Sequence, residues 1–279
     1  MVASVAPWTP SSGLSSGVAP LATFPNCHLL RPPATPSTQQ PTWVAPKRES
    51  PSDELRKAVE EEDWERNYEE GLTRINMRAE WCASEDRCST LRWLATSNKS
   101  QRVLEVGSFC GAGSLAMAEV LPTDGEVVSI ELDPFVVEFG QRFRLKSLAG
   151  GKIKMHVGKA YAELKKLANK VEEGAKPFDL VIIDADKEGM EAYFDLLMSQ
   201  PKLLSENAVI CVDMTPYKGQ PPTRYVKFGF PHRWQSDDGV QFINKLRDTV
   251  KARSDLQSFE FGGLLVVTRK SSQQDQNRV

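Results

Sequence analysis

Between residues 102 and 268 short apolar runs alternate with amphipathic stretches of helical period. The runs 103–106, 127–130, 152–157, 178–184 and 208–213 are rich in Val, Ile and Leu and bounded by turn residues, so they read as buried strands. The stretches 114–120, 134–148, 163–173, 188–198 and 237–251 read as helices, with Pro134 at a permitted first position. Regular alternation of strand and helix predicts a parallel sheet with helices on both faces, an α/β doubly wound architecture. The chain closes with 257–261 and 264–268 around Gly262-Gly263, a tight hairpin that makes the last strand antiparallel. Upstream, a charged helix is predicted from Ser52, its N-cap, through Trp64 and Tyr68 towards Leu72. A second covers 85–95 with Leu91 and Leu94 inward, and both lie over the ligand-binding end of the sheet.

The flanks break this pattern. Residues 1–51 are rich in Pro, Ser, Thr and Ala and carry no acid before Glu49. Prolines from Pro7 to Pro46 exclude regular helix or interior strand, and disorder is expected. This segment is a transit peptide or a linker, which leaves the location cytoplasmic or plastid. One α/β domain follows, 52–270, and then a polar tail, 271–279. Within the domain, 214–234 is a long loop interrupted by Pro and Gly, of the kind that carries function. Lys+Arg 35 against Asp+Glu 37 gives a formal charge of -2, which provides no basic face for nucleic acid. No apolar run is long enough to span a bilayer. Five cysteines, an odd number without Cys-x-x-Cys spacing, argue for free thiols rather than a disulfide framework or a zinc site.

Chemistry concentrates after the first strand. The order Glu105-x-Gly107-x-x-x-Gly111-x-Gly113, followed by Ser114 and a helix, lets backbone approach a ligand at a helix N-terminus. Glu131 ends the second strand, a position that suits a ribose diol. The spacing is not the G-x-G-x-x-G of dinucleotide folds, which disfavours an NAD-dependent oxidoreductase. It resembles motif I of class I S-adenosylmethionine (SAM)-dependent methyltransferases. That resemblance implies a Rossmann-like fold with SAM as cofactor, Glu105 and the glycine turn at the methionine end, and Glu131 on the ribose; relatives often carry a hydroxyl for the SAM carboxylate where this chain has Gly113, and Ser114 next door would compensate.

A second resemblance is carried by Val181-Ile-Ile-Asp184-Ala-Asp186-Lys187, Tyr193 and Val212-Asp213, with Ser84-Glu85 upstream and the Gly262-Gly263 hairpin downstream. Over residues 72–270 the chain is similar to the cation-dependent caffeoyl-CoA and catechol O-methyltransferases. The likeness implies Asp184 and Asp213 as metal ligands and Lys187 as general base. It also places Glu85 and Asp184 in the cofactor site, Ala160 by the adenine, and Asp186 beside the cofactor edge. A divalent ion such as Mg²⁺ chelates adjacent hydroxyls and lowers their pKa. Relatives follow the second aspartate with Asn, whereas this chain has Met214, a poor ligand for a hard cation. Without the ion, Lys187 or Asp213 would deprotonate an acidic enol or phenol directly, and His232 in the long loop is a further candidate base. Tyr217, Phe228, Phe230 and Trp234 suit stacking on a flat ring, or anchor the loop.

These features predict methyl transfer from SAM to a hydroxyl of a small, vicinally oxygenated molecule. The segments around Tyr217 and His232 resemble the branch acting on mycosporine-type cyclohexenones, such as a demethylated deoxygadusol. A catechol or caffeoyl-CoA substrate is the alternative, and an inactive SAM-binding protein, with Met214 as the mark of decay, is the rival of another class. Homodimerisation, common among such proteins, is not readable from this sequence.

Overall fold

The computed structural model describes residues 50–215 and 238–270. The proline-rich segment, most of the long loop with Tyr217, Phe228, Phe230, His232 and Trp234, and the polar tail lie outside the described residues.

Among the described residues three α-helices precede the sheet: α1 (Pro51–Glu61), α2 (Trp64–Glu69) and α3 (Glu85–Ser97). The single helix predicted over 52–72 is thus two, because Asp63 caps a new helix through the Arg66 N–H. Ser50, not Ser52, caps α1, in a reciprocal capping box with Asp53. Ser52 is buried instead. Its hydroxyl accepts from Arg92 of α3 at 2.6 Å and donates to Glu119 at 3.2 Å.

Then β1 (Arg102–Val106), α4 (Ala112–Val120), β2 (Glu126–Glu131), α5 (Pro134–Arg144), β3 (Ile153–Val157), α6 (Ala160–Glu172), β4 (Phe178–Ile183), α7 (Met190–Ser199) and β5 (Leu204–Asp213) follow in strict alternation. The chain ends with α8 (Asp238–Ala252), β6 (Leu256–Phe261) and β7 (Leu264–Arg269). The sheet order is β3-β2-β1-β4-β5-β7-β6, parallel except that β7 runs antiparallel to both β5 and β6. Both turn glycines have positive φ, 57° at Gly262 and 76° at Gly263, as the hairpin requires.

Strand periodicity divides the core. Leu104 and Val106 of β1 join Val128, Ile130, Leu164, Phe194 and Leu246 under α6, α7 and α8. Val103 faces the opposite way, towards Leu91, Leu94 and Met117 under α3 and α4. Glu105 shares that second face and is 5 % exposed, an acid in a strand that is otherwise apolar where it is buried. A third cluster, with Leu55, Val59, Trp64, Phe109, Leu115 and Val136, seats α1 and α2 on the turn after β1.

The chain turns back between β1 and β4: β2 and β3 extend one way, β4 and β5 the other. Such a switch point opens a crevice beyond the carboxyl ends of the strands.

Candidate active site

The turn after β1 is held from several sides. The Gly107 N–H donates to the Ile130 carbonyl at 2.9 Å, and the Asp184 N–H to the Val106 carbonyl at 2.8 Å. A Cβ on Gly107 would overlap the Asp184 carbonyl, and its φ of 86° excludes most other residues. Phe109 is left-handed at φ 52°, uncommon for an aromatic residue. Its ring lies 5.1 Å from that of Trp64, and its N–H donates to Glu131 at 2.7 Å. Packing by α2 and an acid on β2 therefore fix the turn.

Glu131 accepts from backbone N–H groups, among them those of Phe109, Leu132 and Asp133. Burial pushes its carboxyl above the usual range and outweighs those bonds, which pull the other way. Glu105 is more extreme. Burial, with smaller contributions from Asp184 and Glu131, raises its pKa to about 7, against the hydroxyls of Ser114 and Ser129. Ser114 donates a short hydrogen bond to Glu105 and lies 3.0 Å from Ser129. Fully buried at the start of α4, Ser114 supports the Glu105 carboxylate from inside the fold. Gly113 is needed for the same reason, since a side chain there would strike the Glu105 carboxylate. Gly111 is the left-handed N-cap of α4. Cys110 is buried, and burial pushes its thiol up, away from reactivity.

Ala160 opens α6 one turn past β3, where the Gly158 N–H bonds the Glu131 carbonyl at 2.8 Å. Glu85 does not join this group. Its carboxylate is 65 % exposed and lies 3.7 Å from Arg56 of α1. Asp186 accepts from Tyr193 at 2.6 Å and from the Gly189 N–H at 2.8 Å, which fixes the start of α7.

The β5 end differs. Asp213 is 1 % exposed, and both carboxylate oxygens are engaged. One accepts from Arg87 Nη2 at 2.6 Å; the other accepts from Lys187 Nζ at 2.7 Å and from the Thr215 hydroxyl at 2.5 Å. Lys187 also donates to the Asp213 carbonyl at 3.1 Å and is itself 4 % exposed. Burial alone would raise the Asp213 pKa, but Lys187, Thr215 and Arg87 together hold it below the usual carboxylate range.

This donor set does not fit a divalent ion at Asp213. A cation there would face an ammonium and a guanidinium already paired to the carboxylate. Met214 is buried in the core beneath α7 and α8, and its N–H bonds the Gly263 carbonyl at 2.9 Å. Among the described residues no three His, Cys, Asp or Glu side chains are grouped to hold a metal. Asp213, expected with Asp184 as a metal ligand, is the centre of an ion-paired cluster with Arg87 and Lys187.

Arg87 and Ser129 were missed by sequence reasoning. Ser129 is a lone hydroxyl inside the apolar run of β2, a signal that was available. Arg87 sits in the first turn of α3, remote in sequence from Asp213, and nothing local marks it.

A family model described as O-methyltransferase matches residues 60–223, more than half of the chain. The chain belongs to this O-methyltransferase family. It is 34% identical over 116 residues to a catechol O-methyltransferase of Niastella koreensis, covering 41% of this chain and 51% of that protein. It is 27% identical over 128 residues to a probable caffeoyl-CoA O-methyltransferase of Dictyostelium discoideum, covering 46% and 54%. The chain thus spans about half the length of these curated relatives. Its fold matches the SAM complex of the O-methyltransferase TomG from Streptomyces achromogenes, involved in tomaymycin synthesis, with TM-score 0.59 and 24% identity over 78% of this chain and 91% of that one. As a family member the chain has the expected mostly parallel seven-stranded sheet with antiparallel last strands.

Proposed function

We propose that the domain spanning 52–270 transfers a methyl group from SAM to a hydroxyl oxygen of a small, vicinally oxygenated molecule. The observation that carries the reading is the pairing of two unlike half-sites on one sheet edge. At the switch point, Glu105, Glu131 and Asp184 gather acidic groups around a glycine turn; at β5, Arg87 and Lys187 enclose Asp213.

The acidic half suits SAM chemically. A sulfonium with an ammonium group and a ribose diol matches an acidic edge in which burial has raised the carboxyls of Glu105 and Glu131. Glu131 would hold the ribose, Glu105 and the Gly107 turn the methionine end, and Ala160 the adenine side. Bound there, SAM supplies an electrophilic methyl, whose transfer joins carbon to oxygen while the carbon–sulfur bond breaks and its electron pair stays on sulfur. The protein's part is alignment of the acceptor oxygen and management of its proton.

We assign that proton to the Lys187–Asp213 pair. A carboxylate held below its ordinary range is a weak base, so the pair favours acceptors that ionise readily. An acidic cyclic enol, such as a demethylated mycosporine-type cyclohexenone, fits better than an alcohol. A catechol acceptor is the second reading, favoured by the likeness to catechol O-methyltransferases. SAM titration by calorimetry, followed by mass analysis of products from enols and catechols, tests the assignment. No SAM binding would end it, and binding without product from any acceptor would mark a protein that only holds SAM. No described helix is long and apolar enough to cross a membrane; a small-molecule substrate, a homodimer and a cytoplasmic or plastid location complete the proposal.

A further inference from the structure

The Arg87 guanidinium is 8 % exposed, and only one of its two terminal nitrogens is accounted for. Nη2 pairs with Asp213, while Nη1 is fully buried with no hydrogen-bond partner among the described residues. A buried donor of this kind costs about 1–3 kcal/mol unless an acceptor reaches it. A guanidinium only donates, so its missing partner must be an acceptor oxygen, and a charged one bonds most strongly.

Its surroundings narrow the place. Arg87 comes from the first turn of α3 and reaches the start of the β6–β7 hairpin return, where a Cβ on Gly263 would lie 3.5 Å from Nη2. Asp213, whose carboxylate it shares with Lys187, ends β5 next to β4, the strand that leads into Asp184. This is the region that the resemblance to cation-dependent enzymes gives to a divalent ion, and the donor set there does not fit one.

We propose that Arg87 is the acceptor-binding residue of this site, taking by its free Nη1 an anionic oxygen adjacent to the one that is methylated. The inference rests on the methyl-transfer reading above. The ligand class is a small enolate or phenolate with a second oxygen alongside. The planar fork explains why arginine stands here: one nitrogen holds the protein's carboxylate, the other the ligand's oxygen.

The test is calorimetric binding of 2-hydroxycyclohexane-1,3-dione, an acidic enol with adjacent oxygens, to the full chain saturated with S-adenosylhomocysteine, at a pH where the probe is ionised. It is run in excess EDTA and again with Mg²⁺ in place of EDTA. Equal affinity in both buffers, and a loss of roughly tenfold or more in Arg87→Met, are expected. Arg87→Lys, which keeps a positive partner for Asp213, is the second variant in case the first does not fold; weakened probe binding is expected there too. S-adenosylhomocysteine affinity should stay within about twofold in any folded variant. Probe binding that requires Mg²⁺, or that is unchanged in a folded Arg87 variant, would overturn the inference. Failure of the unmodified chain to bind S-adenosylhomocysteine would instead remove the reading beneath it.

Discussion

Glu105 and Asp213 are both acids near the carboxyl edge of one sheet, both almost fully buried, and they are treated in opposite ways. Glu105 is surrounded by hydroxyls and other acids, and burial raises its pKa to about 7. Asp213 is surrounded by Arg87, Lys187 and Thr215, which overcome burial and hold it below the usual range. Burial is shared, so the partners decide. One half of the edge therefore accumulates negative charge that awaits a cation, and the other arrives with its cations built in. A cationic cofactor beside an anionic acceptor is the combination such an edge accommodates.

The largest test removes the centre of the cationic half. Asp213→Ala leaves Arg87 and Lys187 buried without their carboxylate, and a loss of about 3–5 kcal/mol is expected in urea denaturation. Because the folded Asp213 pKa is depressed, its stabilisation is complete above the ordinary value of 3.8 and fades as pH falls through the lower folded value. The unmodified protein should accordingly lose this contribution in acid, and Asp213→Ala should show no such component.

Glu105→Gln probes the other half with the opposite sign. A carboxyl with a raised folded pKa favours the protonated state, so its ionisation costs stability as pH rises from 4.5 to about 7 and remains a constant penalty above that. The cofactor-free Glu105→Gln protein should exceed the unmodified one by roughly 3 kcal/mol above pH 7, with the gap closing below pH 4.5. Equal stabilities at high pH would contradict the assigned environment.

A smaller change follows at Glu131. Its replacement by Ala should weaken SAM binding by about tenfold, or ~1.4 kcal/mol, in calorimetry; unchanged affinity would reject the ribose assignment. The smallest is Ser129→Ala, which removes one of the two hydroxyls that lower the Glu105 pKa. A loss of about 1 kcal/mol is expected, with the Glu105 titration followed by NMR moving higher still.

The same contrast explains what was legible in the sequence. The acidic half is local: Glu105, Gly107, Gly111 and Gly113 follow one another across a strand, a turn and a helix, and Glu131 ends the next strand. Periodicity and glycine spacing place all of them, and the parallel sheet with its antiparallel close follows from the same alternation. The cationic half is assembled from α3, the turn after β4 and the end of β5. Arg87 and Asp213 meet across 126 positions of sequence. No local pattern encodes that meeting, so the resemblance to cation-dependent relatives gave Asp213 and Lys187 their expected roles and left Arg87 without one. Boundaries failed where side chains reach across the fold or cap locally. Ser52 resembles a cap but serves Arg92 and Glu119, and α5 stops at Arg144, short of the predicted 148, because a 3-10 turn over Ala149–Lys152 leads into β3.

The most direct measurement is methyl transfer from labelled SAM to an acidic cyclic enol and to catechol, each with excess EDTA and with Mg²⁺, read by product mass. A methylated enol at equal rates in both buffers, with little product from catechol, is expected. Product that forms only with Mg²⁺ would contradict it, and would mean that an ion displaces the Arg87 and Lys187 pairing at Asp213.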